Sequence, residues 1–74
     1  MKVLVTGATG KVGTQFLKRF FEEEKFAPAT ARALCHNRLL EETERLEVIS
    51  GSISDRELVS KAVEGVTHVV HLAT

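Results

Sequence analysis

The chain has 74 residues, 43% of them hydrophobic, and its ten Lys and Arg balance ten Asp and Glu, so the formal net charge is zero. That balance excludes the basic footprint of a nucleic-acid or membrane-surface binder, and no apolar stretch approaches the ~18 residues that cross a bilayer. One cysteine, Cys35, and three histidines exclude an internal disulfide and offer no spacing suited to a structural zinc.

The first predicted element is a strand over Lys2–Thr6, whose run Val3-Leu4-Val5 is continuous and apolar, as in a strand buried on both faces of a parallel sheet. Gly7 breaks the run. Gly7, Ala8, Thr9 and Gly10 are small, so the backbone can turn sharply there and admit a close neighbour. From about Lys11 to Lys25 the period changes to that of a helix, with Val12, Phe16 and Phe20 on one face and Leu17 and Phe21 beside them. Strand, glycine turn and helix form the setting of a dinucleotide fingerprint. The first turn of a helix has unpaired N–H groups and a partial positive charge, and these hold a pyrophosphate. A side chain at Gly7 or Gly10 would obstruct that approach, while Gly13 would let the helix pack closely on the strand. A P-loop is excluded, because Gly10-Lys11 is followed by Val12 and the position five before Gly10 is Val5. The spacing Gly7-x-x-Gly10-x-x-Gly13 in TGATGKVG resembles the TGxxGxxG cofactor motif of the short-chain dehydrogenase/reductase superfamily.

The helix carries Glu22, Glu23 and Glu24 in its last turn, the wrong sign for a C-terminus, so fraying is expected before Pro28 ends it. Thr30–Cys35 is the second strand, with Cys35 expected to be a small buried residue without a nucleophilic role. Residues just past a second strand of this kind lie beside the adenosine ribose, where an acid favours NAD and an arginine favours NADP. Here they are His36, Asn37 and Arg38, with no acid before Glu41. This favours NADP over NAD, with Arg38 the first candidate phosphate ligand and His36 the second; the competing reading is a solvated loop. The stretch Arg38–Arg45 has a thin apolar face and is at most a short helix. Leu46–Ser50 is the third strand, ending at Gly51. Ser54–Glu64 is a second helix, opened by a capping box in which Ser54 caps Glu57, with Leu58, Ala62, Val59 and Val63 facing inward and Gly65 as a left-handed C-terminal cap. Val66–Ala73 is the fourth strand.

GSISD, a helix, a glycine and then THVVHLAT are similar to the corresponding segment of the extended short-chain dehydrogenases, which include the NAD-dependent epimerase/dehydratase family. The resemblance runs from Val3 to Thr74. It implies that Gly7, Thr9, Gly10, Lys11, Val12 and Gly13 form the cofactor turn. Ser52 stands where the family has an acid bonding the adenine amino group, and Ile53 where it has an apolar contact to the adenine face. Leu72 and Ala73 match positions whose backbone lines the adenosine and pyrophosphate, and Thr74 replaces the family's second alanine. His71 and His68 are expected to be structural or surface residues, since a lone histidine lacks an orienting partner nearby in sequence. Lys61 is expected to be solvated.

The expected fold is α/β, the N-terminal half of a Rossmann-type doubly wound parallel sheet in the order 3-2-1-4. The family moves its proton with a Tyr-x-x-x-Lys pair, and this chain has no tyrosine. The resemblance therefore implies an incomplete domain whose catalytic and substrate-binding portion is absent. The parent would be a cytoplasmic NAD(P)-dependent enzyme acting on a hydroxyl or carbonyl substrate, nucleotide-sugars among them. A non-catalytic NADP-sensing regulator of the NmrA-like kind, or an inert remnant, are the alternatives. An apolar fourth strand left at the sheet edge also predicts marginal stability or self-association of the isolated chain.

Overall fold

Three consecutive buried residues, Val3, Leu4 and Val5, set the first strand in the middle of the fold. In the computed structural model, which describes residues 1–36 and 38–72, β1 (Lys2–Thr6) pairs in parallel with β2 (Thr30–Cys35) and with β4 (His68–His71). β3 (Leu46–Ser50) lies outside β2, giving an all-parallel sheet in the order β3-β2-β1-β4. This is the partial Rossmann-like α/β arrangement that the sequence predicts.

The two helices cover opposite faces. α1 (Lys11–Glu22) packs Leu17 and Phe20 with Val3, Val5, Ala31 and Ala33. α2 (Arg56–Ala62) packs Ala62, flanked by Leu58, with Leu4 and Leu34. Successive residues of β1 thus feed two cores, because side chains alternate across a sheet. No helix among the described residues is long and apolar enough to cross a membrane.

Several boundaries and faces differ from those expected. α1 ends at Glu22, not Lys25: Glu23 is extended, and a 3₁₀ turn over Glu24–Phe26 brings the Phe26 ring back to 5.1 Å from that of Phe20. Three acids opposing the helix dipole and the stacking of Phe26 on Phe20, which the turn makes possible, both favour the earlier stop. Val12 does not face the core; it is 64% exposed, and Gly13, Leu17 and Phe20 form the buried face. The glycine lies on the inward side because the helix sits too close there for a larger residue. No helix forms between Arg38 and Arg45. Leu40 alone turns to the core while Leu39 stays exposed, and Thr43 makes a tight antiparallel bridge to Leu46.

α2 begins later, at Arg56, and its cap is Asp55, not Ser54. Asp55 Oδ1 accepts from the amides of Glu57 and Leu58 at 3.1 and 3.2 Å, whereas Ser54 Oγ is bonded to Ser52 Oγ at 2.7 Å. The helix ends at Ala62, with Val63 43% exposed, and Gly65 takes the expected left-handed conformation at φ +74°. β4 is shorter than Val66–Ala73, although its ladder continues through the Thr67 amide to the Lys2 carbonyl and the Leu72 amide to the Thr6 carbonyl. Cys35 is buried as expected, and His68 and Lys61 are exposed.

Candidate functional site

Because every strand is parallel, the C-terminal ends of all four share one edge of the sheet, and the loops leaving that edge are where open α/β sheets bind ligands. The first of these loops is the glycine turn. Gly7 adopts φ +68°, a conformation that L side chains rarely take, and so sends the chain directly from β1 into α1. The Gly10 amide closes the turn on the Gly7 carbonyl at 3.1 Å. A Cβ on Gly13 would fall on that same carbonyl oxygen and 2.8 Å from Ala8 Cα. Gly13 therefore allows the start of α1 to sit against the turn.

α1 is preceded by Gly10 as its N-cap residue, with no side-chain cap and no acid in its first turn. Its leading N–H groups and the positive end of its dipole are therefore left to the turn. α2 contrasts with this, since Asp55 occupies its amides. The uncapped start of α1 suits an anion such as a pyrophosphate.

A cleft of about 220 Å³ opens beside the turn, lined by Thr6, Gly7, Thr9, Leu34, His36, Gly51, Ser52 and Ile53. The ends of β1, β2 and β3 thus bring together three separate groups of sequence-predicted site residues: Gly7 and Thr9, His36, and Ser52 with Ile53. Ile53 is exposed at the rim, an apolar surface on which a flat ring could rest. The Ser52 hydroxyl is engaged locally, meeting Ser54 Oγ at 2.7 Å and accepting from the Ser54 amide at 3.2 Å.

Arg38 lies outside the lining but is not loose. Its Nη2 donates to the Thr9 carbonyl at 3.1 Å, which ties the loop after β2 to the glycine turn. A guanidinium has five N–H donors, so this one bond leaves capacity for a further acceptor. Gly10, Lys11 and Val12 are exposed at the start of α1, and Gly13 is buried beneath it. Leu72 leaves β4 on the far side of Thr6, its amide bonded to the Thr6 carbonyl at 3.2 Å and its side chain against the α1-side core. Ala73 and Thr74 lie outside the described residues.

The same edge holds a pairing that no local sequence pattern announces. Thr6 Oγ1 and His71 Nδ1 are hydrogen bonded at 2.6 Å across β1 and β4. The signal lies in the strand order, which makes the last residues of β1 and β4 neighbours, but 65 positions separate the two residues along the chain. A larger groove of about 360 Å³ runs along α1 between Val12, Phe16, Phe20 and Phe26. It lacks the turn, the Arg38 contact and the strand ends that converge at the smaller cleft. Among the described residues no cluster of His, Cys, Asp or Glu could hold a metal ion.

The strand ends thus bring together an uncapped helix start, a cleft with an apolar rim and an arginine bonded to the glycine turn. A family model described as NAD(P)H-binding matches residues 7–74. No curated protein and no solved structure matches the chain.

Proposed function

The chain belongs to the NAD(P)H-binding family, and we propose that it is the dinucleotide-binding portion of an NAD(P)-dependent oxidoreductase, epimerase or dehydratase acting on a hydroxyl or carbonyl substrate, with NADP the favoured cofactor. In this reading the turn from Gly7 to Gly13, with Thr9, Lys11 and Val12, receives the pyrophosphate. Ser52 and Ile53 meet the adenine, and Leu72 and Ala73 line the adenosine side. His36 and Arg38 stand beside the ribose. The bound nicotinamide supplies hydride transfer. In this reading the chain's own residues hold and orient the cofactor.

The observation that carries the NADP reading is the Arg38 contact with the Thr9 carbonyl. It keeps a cation beside the glycine turn, where a ribose 2′-phosphate needs one and where no acid competes. Hydrogen bonds to a charged group contribute about 1.5–3 kcal/mol, so NADPH should bind roughly ten- to a hundredfold more tightly than NADH. Isothermal titration with both nucleotides measures this, and Arg38→Ala should remove most of the preference while changing NADH binding little. Equal affinities in the wild type refute the NADP assignment. A second reading, an NADP-sensing regulator without catalysis, draws on the similarity of the Ala31-Arg32-Ala33-Leu34 strand and the basic loop after it to the NmrA-like proteins. Turnover of NADP(H) by the parent polypeptide with a hydroxyl or carbonyl substrate separates the two.

A further inference from the structure

Thr6 and His71 are paired residues at the ends of neighbouring parallel strands, so their side chains leave the same face of the sheet. Thr6 is buried, lines the cleft and precedes Gly7, while His71 is exposed. Their 2.6 Å hydrogen bond therefore connects an imidazole in contact with solvent to the hydroxyl of a residue that lines the cleft.

We propose that His71 is a positioning residue for the dinucleotide: it sets the direction of the Thr6 hydroxyl and, once protonated, adds positive charge at the β1–β4 edge, so that dinucleotide affinity rises as pH falls. This rests on the cofactor reading above. A threonine hydroxyl has one proton to donate. When the imidazole is neutral with its proton on Nε2, Nδ1 accepts, and the Thr6 proton is directed at His71. When both ring nitrogens carry protons, Nδ1 donates, and Thr6 Oγ1 accepts. The Thr6 proton is then turned away from His71 and is available to another acceptor. The same protonation places a unit charge next to the strand that leads into the glycine turn, which favours a diphosphate at the start of α1.

The other charged groups on the surrounding elements do not duplicate this arrangement. On β1 the titratable side chain is Lys2, at the opposite end of the strand and bonded to Glu47. On β4 it is His68, three positions back and bonded to Thr67 Oγ1. α2 and its cap carry Asp55, Arg56, Glu57 and Lys61, and α1 opens with Lys11. His36 lines the cleft, and Arg38, outside its lining, is bonded to the Thr9 carbonyl. His36 is a second imidazole, and the 2′-phosphate of NADPH, whose second ionisation lies near 6, also changes charge with pH. The discriminating ligand is therefore NADH.

The experiment measures NADH affinity from pH 5.5 to 8.0 for the wild type, His71→Asn, Thr6→Val and His36→Asn, with folding checked by circular dichroism. The expected wild-type response is an increase of roughly three- to tenfold toward low pH, the tenfold limit corresponding to one unit of linkage. Asparagine can keep a hydrogen bond to Thr6 without titrating, so His71→Asn should be flat and remain near the wild-type affinity at pH 8.0. Thr6→Val, which retains the charge but not the hydroxyl, should respond less than wild type, and His36→Asn should keep the response. In the wild type, NMR titration of the His71 ring should move to higher pH when nucleotide is added. A flat wild-type profile, a response that survives in His71→Asn, or an unmoved His71 titration overturns the proposal and leaves nucleotide binding intact. If neither NADH nor NADPH binds at any pH, this inference and the cofactor reading fall together.

Discussion

Replacing Arg32 with methionine should loosen α2 from the sheet and lower the chain's stability by about 1–3 kcal/mol. Arg32 lies in the middle of β2 between the fully buried Ala31 and Ala33, and is itself only 9% exposed. Its Nη1 donates to the carbonyls of Ala62 at 2.7 Å, Glu64 at 2.9 Å and Lys61 at 3.3 Å. These lie at the C-terminus of α2, where carbonyls lack helical partners and a cation is favoured. Its Nε donates to Glu47 Oε2 at 3.0 Å. Methionine fills most of the volume and buries no unpaired charge, since Glu47 is half-exposed and keeps its 2.7 Å bond to Lys2 Nζ. What is lost is a partner for the buried Ala62 carbonyl, about 1–3 kcal/mol. To this are added up to ~1 kcal/mol of helix-dipole interaction and up to ~1 kcal/mol for a part-exposed ion pair. The guanidinium's desolvation offsets part of this, leaving a net loss of about 1–3 kcal/mol. A chain of this size has about 4–11 kcal/mol in total. Urea unfolding followed by far-UV circular dichroism should show a lower midpoint with an unchanged slope. A loss below about 1 kcal/mol, or an increase in stability, would mean that burying the guanidinium costs as much as its bonds return, as in ion pairs that apolar groups replace without penalty.

The pH dependence of the same pair gives a second test. Lys2 first, then Arg32, hold the Glu47 carboxyl below the ordinary glutamate range by hydrogen bonding to it. A lowered value in the folded state contributes stability that is present above the unfolded pKa, about 4.3, and is lost as pH falls through the folded one. Arg32→Met removes part of that contribution, so the stability gap between wild type and variant should narrow below about pH 4.3. A gap that widens on acidification contradicts the assignment.

Two other substitutions probe the turn and the cap. Gly13→Ala should destabilise despite alanine's advantage of about 1 kcal/mol in a helix. The new Cβ meets the Gly7 carbonyl and Ala8 backbone, which cannot move aside as a side chain could, and overpacking of this kind costs about 1–3 kcal/mol. NADPH binding should fall with it, and a raised thermal midpoint would contradict the close packing. Asp55→Ala should lose about 1 kcal/mol through the α2 cap, whereas Ser54→Ala should stay within about 0.5 kcal/mol of wild type. The reverse order in chemical denaturation would restore Ser54 as the capping residue.

The strands and the glycine turn are legible in sequence because their signals are local. β1, β2 and β3 coincide with the apolar runs that predict them, Gly7 makes the sharp turn expected after β1, and Gly65 takes the left-handed conformation expected there. Differences arise where local preference competes with something distant. Val12 fits the helical period of Phe16 and Phe20, but the close approach at Gly13 rotates that face so that Val12 points outward. Ser54 and Asp55 are both capable caps, and the choice between them turns on Ser52, which engages the Ser54 hydroxyl. Arg32 reads as an interruption of the second strand, yet its burial follows from α2, which ends above it on that face of the sheet.

Residue periodicity and the backbone freedom of a few glycines are enough to specify the element types and the turn that opens α1, while the parallel order of the strands is what the family resemblance implies. Which side chains meet across the strand ends is a property of the folded sheet alone. Folding sets Arg38 on Thr9, gathers His36, Ser52 and Ile53 around one cleft, and joins Thr6 to His71. The physical reason is that a parallel sheet brings residues far apart in the chain to one edge, and the order β3-β2-β1-β4, not sequence distance, determines which of them become neighbours.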